Sequence, residues 1–167
     1  MRGKDVLNDG LGRIAENVSA VLDGLGPAEL NRAPARGANT IAWLVWHLTR
    51  VQDAQVADVA GTEEVWRSGG WFERFGLDLP AEHTGYGHTP ADVARVVVDD
   101  VSLLQGYYDA THAVSRDFIE SLSDSDLDRV VDAHWDPPVT LGVRLVSIID
   151  DDAQHIGQAA YLRGLFA

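Results

Sequence analysis

Three residues in this 167-residue chain have the types and spacing for metal chemistry. Asp151 and His155 lie four residues apart in the run Ser147-Ile-Ile-Asp-Asp-Asp-Ala-Gln-His-Ile-Gly-Gln158. In an α-helix of about 3.6 residues per turn, positions i and i+4 stand one above the other on one face. A carboxylate and an imidazole placed in this way reach one point in space, which is how a helix offers two ligands to a metal ion. The third ligand has to come from elsewhere, and His47 in Trp43-Leu-Val-Trp-His-Leu48 is the best candidate. Helical phasing also puts Arg144, Ile148, Asp151, His155 and Gln158 on one stripe, because seven and eleven residues are nearly whole numbers of turns.

Ionised Asp151, set in an apolar helical pattern, needs a cation or a hydrogen-bonding partner, because burying a lone carboxylate is costly. Two arrangements meet that need. One is a metal shared with His155 and His47. The other is a structural pair with Arg144, about 10 Å away along the helix axis. The structural alternative for His155 is a core histidine bonded to a carboxylate; for His47 it is a buried imidazole packed between Trp43 and Trp46. Asp150 and Asp152 point about 100° away from Asp151 on either side. Asp150 is expected at the surface, and Asp152 behind an imidazole, holding its N–H in place. His83, His88, His112 and His134 lack partners at ligand spacing and read as surface or loop residues.

Composition removes several classes of function. The formal net charge of −13 repels phosphate backbones and anionic lipid, so neither nucleic acid nor a membrane surface is an expected partner. The absence of cysteine excludes disulfides, thiolate nucleophiles and thiolate metal sites. Any metal must be held by His and carboxylate. No apolar run approaches the roughly 18 to 20 residues that span a bilayer, and Met1-Arg-Gly-Lys-Asp5 leads into no secretory signal, so the expected compartment is the cytoplasm. The 46% hydrophobic and 23% charged fractions are those of a globular protein, and one domain over 1–167 is expected.

The elements that must position these residues are helices. Leu7, Leu11, Ile14, Val18, Val21/Leu22 and Leu25 recur at spacings of three or four, predicting a helix from about Lys4 to Leu25. The segment 28–38 reads as a loop with one short turn around Glu29 and Leu30. A second helix, capped by Asn39 or Thr40, runs to Ala60 and carries His47. The stretch 61–89 is rich in glycine and aromatics, with a brief helix from Thr62 to Trp66; it reads as a pinned surface loop or as a wall over a pocket. Thr89, Pro90 and Asp92 form a helix-start signal, predicting a third helix to about Leu122 with a kink or break near Gly106. Ser123 to Asp126 caps one further turn, and the segment around Trp135-Asp-Pro-Pro138 is irregular. The fourth helix spans Thr140 to about Gly164. No strand is expected. The fold class is all-α, a four-helix bundle with long crossover connections.

Trp46-His-Leu48 on one helix, with Asp150-Asp-Asp-Ala-Gln-His-Ile-Gly-Gln-Ala-Ala-Tyr-Leu-Arg-Gly164 on another, resembles the DinB-like superfamily over essentially the whole chain. That superfamily includes metal-dependent thiol S-transferases and the metal-binding domain of mycothiol-dependent maleylpyruvate isomerase. The residue usage, including Trp135-Asp-Pro-Pro138, resembles an actinobacterial branch. The resemblance implies a divalent metal (Zn²⁺, Ni²⁺, Mn²⁺ or Fe²⁺) held by His47, Asp151 and His155. It also implies mycothiol as co-substrate, a small-molecule electrophile as substrate, and a homodimer. Arg144 is then the residue to hold an anionic group, with Trp43, Trp71 and Tyr86 lining the pocket. The family typically uses three histidines, so Asp151 is a departure: it leaves the site with one positive charge rather than two, and makes the metal a weaker Lewis acid. A non-catalytic metal- or small-molecule-binding stress protein, or a bundle without metal, are the alternatives.

Overall fold

The computed structural model describes residues 1–166. Four long helices form a bundle: α1 (Gly3–Leu22), α3 (Ile41–Ala60), α7 (Val101–Ser121) and α8 (Leu141–Phe166), with α1 parallel to α8 and antiparallel to α7. Four short helices decorate the connections: α2 (Pro27–Leu30), α4 (Val65–Ser68), α5 (Trp71–Phe75) and α6 (Pro90–Val93). α3 packs against α7 and α8, and α1 packs against the same two from the other side. The expected all-α bundle with long crossovers is therefore the fold.

α3 is the helix that matters most for position. Every residue from Ile41 to Asp53 is buried, so no face of its first three turns meets solvent. Thr40 accepts from the Trp43 N–H at 3.0 Å and caps the start, and Gly61 closes the end with φ 69°. A helix enclosed on all sides is usually apolar all round. This one also carries His47, Arg50, Gln52 and Asp53, which must find partners inside the protein.

The α3–α7 connection is fastened by those buried polar groups. Arg50 is fully buried; its Nη1 stands 2.8 Å from Glu64 Oε2 and 3.3 Å from the Tyr107 hydroxyl, to which it donates. Its Nε donates to the His83 carbonyl at 3.1 Å and its Nη2 to the Ala81 carbonyl at 3.3 Å. Asp53 caps α4 by accepting from the Val65 and Trp66 N–H groups at 2.8 and 2.7 Å, and accepts from the Tyr107 hydroxyl at 2.7 Å. The aromatics of the connection join the core. Trp66 meets Phe72, Phe75 and Tyr107, and Trp71 packs on Tyr107 beneath the Arg74 guanidinium. Of the two readings of this stretch, the pinned loop describes most of it, and residues 84–86 form a wall beside the site.

Three expectations about elements need correction. The Thr89-Pro90-Asp92 signal is a genuine cap, but it opens the one-turn α6, and the long helix starts at Val101 under an Asp100 cap. Between them, Asn31 clamps Val98 by accepting from its N–H and donating to its carbonyl, both at 2.9 Å, which holds this run of β-branched residues out of the helix. Gly106 breaks nothing. α7 runs through it, and a Cβ there would stand 2.7 Å from Trp71 Cη2, so the glycine makes room for the indole. Lastly, two short strands exist: β1 (Val130–Asp132) pairs antiparallel with β2 (Val139–Thr140), with Val130 opposite Thr140. They are too short to show alternation in the sequence.

Candidate metal centre

Because α3 and α8 are packed neighbours, His47 comes to Asp151 and His155. One ligand atom from each lies within 4.8 Å of the other two. The two imidazole rings meet edge to face with centroids 4.6 Å apart, and the Trp43 indole stacks on His47 at 4.5 Å.

Each imidazole is held by a backbone carbonyl. His47 Nδ1 lies 2.5 Å from the Thr84 carbonyl, and His155 Nδ1 lies 2.7 Å from the Asp151 carbonyl. A carbonyl only accepts, so both Nδ1 atoms carry a proton, and in the neutral ring Nε2 presents the lone pair. This is the arrangement that fixes tautomer and ring orientation in metal-ligating histidines. Asp151 Oδ2 is buried without a hydrogen-bond partner; His155 Nδ1 is 3.4 Å away but is engaged with the carbonyl. An orphaned buried carboxylate oxygen in a cluster with two imidazoles fits a divalent cation, and oxygen and nitrogen donors suit Zn²⁺, Ni²⁺, Mn²⁺ or Fe²⁺. Three protein ligands leave positions for water or substrate.

The titration behaviour agrees with that chemistry. Burial holds the His47 imidazole below its ordinary range, although the Thr84 carbonyl pulls the other way. It is thus a neutral ligand at pH 7. Contact with the Asp151 side chain raises His155. Burial pushes Asp151 upward, but His155 and His47 more than offset it, so the carboxylate sits below its ordinary range and is ionised.

The wall is a turn that only glycine can make. Gly85 has φ +96°, and a Cβ there would collide with His47 Nδ1 and stand 3.2 Å from Trp43 Cζ2. Beside the cluster opens a cavity of about 310 Å³, lined by His47, Val51, Ala54, Gln55, Thr84, Tyr86, Ser147 and Asp151. Tyr86 stands at its mouth, almost fully exposed.

The other site expectations fare unevenly. Trp43 buttresses His47, and Tyr86 lines the cavity. Trp71 lies buried against Tyr107 and Gly106, away from the cavity lining. Arg144 turns towards the ribbon, with Nη2 3.6 Å from Asp132 Oδ2, and is not among the cavity residues. Asp150 is exposed and accepts from Gln154 at 2.8 Å. Asp152 does not support an imidazole, because the Thr84 and Asp151 carbonyls do that. It is fully buried, with both oxygens unpartnered, and burial together with the Asp151 charge pushes its carboxyl well above the usual carboxylate range.

Sequence reasoning missed Thr84 and Gly85, whose contribution is a backbone carbonyl and the absence of a side chain. It also missed His88, which accepts from Trp43 Nε1 at 3.2 Å, and His83, which meets His88 at 3.2 Å. The only signal for them was Tyr86-Gly-His-Thr89, glycine and histidine within an aromatic stretch.

The model of the DinB superfamily matches residues 11–159, which takes in His47, Asp151 and His155. The chain belongs to the DinB superfamily. A solved structure, that of a conserved protein from Enterococcus faecalis, is 37% identical, with a TM-score of 0.91 over 98% of this chain and 96% of that one. No curated protein matches the chain significantly. This DinB-superfamily chain has a carboxylate where the resemblance predicts a third histidine. The geometry shows how it serves: Asp151 gives its side chain to the cluster and its carbonyl to His155.

Proposed function

We propose that this protein is a metal-dependent thiol S-transferase, with mycothiol as the thiol its resemblance to an actinobacterial branch implies. The observation that carries the reading is the convergence of one ligand atom each from His47, Asp151 and His155 within 4.8 Å of one another, beside a cavity. A divalent metal held there would lower the pKa of a bound thiol and so supply a thiolate at neutral pH.

The chain's own residues do the rest. His47, Asp151 and His155 would hold the ion, with His47 neutral and Asp151 ionised beforehand and His155 giving up its proton to the metal. Trp43 and Gly85 keep the His47 ring in one orientation. Tyr86 and Thr84 line the cavity beside the ligand cluster.

The test is thiol consumption by the metal-loaded protein with a bimane electrophile. The reading predicts turnover that chelation abolishes and that His155→Ala loses. Metal-replete protein that consumes no thiol, or His155→Ala protein that retains full turnover, contradicts it.

A further inference from the structure

The cavity beside the His47, Asp151 and His155 cluster has a largely apolar lining set with a few polar groups, and no lysine or arginine among the described residues supplies it a positive charge. Gln55, Thr84, Tyr86 and Ser147 supply amide and hydroxyl groups, and Val51 and Ala54 supply apolar wall. The two arginines nearest in sequence to its lining residues are committed elsewhere. Arg50 is bound by Glu64, Asp53 and two loop carbonyls, and Arg144 faces Asp132. The single charged side chain in the lining other than a histidine is Asp151, which belongs to the cluster with His47 and His155.

The polar groups have unused capacity. The Gln55 amide makes no hydrogen bond to the described residues, so both its N–H donors and its carbonyl are free. Ser147 Oγ donates to the Val143 carbonyl at 2.9 Å and keeps its lone pairs. Thr84 Oγ1 accepts from the Tyr86 N–H at 3.4 Å and keeps its proton. The Tyr86 ring is open to solvent and offers a flat face and a hydroxyl.

Charge counting then limits what fits. A divalent ion on one carboxylate and two neutral imidazoles keeps one positive charge, and an ionised thiol balances it. A second anionic group on the same ligand would enter a partly enclosed space with no cation to replace its water, in a chain of net charge −13. Hydroxyl or amide groups, by contrast, meet free donors and acceptors. The volume, about 310 Å³, is at the small end of the roughly 300 to 1,000 Å³ typical of ligand cavities.

We propose that this cavity is a subsite for the uncharged, hydroxyl- or amide-bearing body of the thiol substrate, read by Gln55, and that it rejects substrates carrying a carboxylate or phosphate beyond the sulfur. The proposal rests on the metal–thiol reading above and adds the substrate's charge class and a specificity residue.

The experiment uses the full chain loaded with Co²⁺ and follows the thiolate-to-cobalt absorption during titration with 4-mercaptobutan-1-ol or 4-mercaptobutyrate. The two are of equal length, and the carboxylate is too far from the sulfur to chelate easily. At about 0.5 M salt the long-range field of the acidic chain is screened, so a remaining preference is local. The alcohol is expected to bind at least about tenfold more tightly. Gln55→Leu should weaken the alcohol at least about fivefold more than it weakens ethanethiol, and Gln55→Lys, which adds the missing cation, should bring the carboxylate up to the alcohol. Equal or tighter binding of 4-mercaptobutyrate to the wild type overturns the proposal. So does a Gln55→Lys protein, shown folded by its melting curve, in which the preference is unchanged. If Co²⁺ is not taken up, or no thiol gives the absorption, the metal–thiol reading fails first and takes this proposal with it.

Discussion

At the scale of single residues, the metal centre depends on which nitrogen carries each proton. Carbonyl acceptors at both Nδ1 atoms leave both Nε2 atoms as donors to an ion. His155→Ala removes one of three ligands. With Zn²⁺ at about 100 times its dissociation constant the wild type should gain about 2.7 kcal/mol of stability, and thermal melting should show that gain lost in the variant. Protons compete for the same atoms. His155 is raised above its ordinary value of 6.5 by Asp151, so it takes up its proton at a higher pH than a free imidazole. Metal affinity should therefore fall as pH drops through that raised value, by about tenfold per unit. His47, lowered by burial, adds a second proton competitor only at lower pH. A metal titration from pH 8 to 5 checks this, and a flat profile would refute it. Gly85→Ala should destabilise the protein by about 2 kcal/mol or more, since a positive φ and a clash with His47 add together; urea unfolding of the metal-free protein measures it.

At the scale of elements, Arg50 decides whether the α3–α7 connection stays on the bundle. It holds two loop carbonyls one turn along α3 from His47, and the next loop residue, Thr84, holds the His47 ring. Arg50→Met leaves Asp53 without its cation, and truncating one partner of a buried ion pair costs about 3 to 5 kcal/mol. Limited proteolysis should then cut within residues 61–89 well before the wild type is cut. The four long helices were legible because their buried positions recur at three and four; Leu7, Leu11, Ile14 and Val18 of α1 are an example. The start of α7 was not, because a real cap at Thr89 precedes it and the clamp that interrupts the helix comes from Asn31, 67 residues away in sequence. The pairing of Asp151 with His155 was legible for the same reason as the helices, since the two share a face. Arg144 shares that face in phase, but its long side chain is drawn to Asp132, a residue in a stretch that carried no pattern. The carbonyls that set the imidazole protons leave no trace in residue type.

At the scale of the whole molecule, acidic charge is kept off one surface. Of the exposed residues described on α8, Asp150 alone is charged; Val143, Val146, Ala153, Gly157, Ala160, Tyr161 and Leu165 are apolar or nearly so. A groove along Gly10 and Ile14 of α1 and Ile149, Ala153 and Gly157 of α8 continues this face. A chain of net charge −13 resists self-association wherever its carboxylates meet, and this face lets two copies meet with few of them. The length of α8, about 39 Å, gives room for a contact of standard size. Sedimentation velocity at tens of micromolar should therefore show a dimer that Ala153→Glu converts to a monomer; a wild-type monomer contradicts it. No helix described is long and apolar enough to cross a membrane.

The proposed chemistry needs one ion between α3 and α8. Metal content of protein purified without an affinity tag, incubated with Zn²⁺ and gel-filtered, tests this most directly. The prediction is about one equivalent per chain in the wild type and a small fraction of that in His47→Ala. No bound metal in the wild type, or the same content in both proteins, would contradict it.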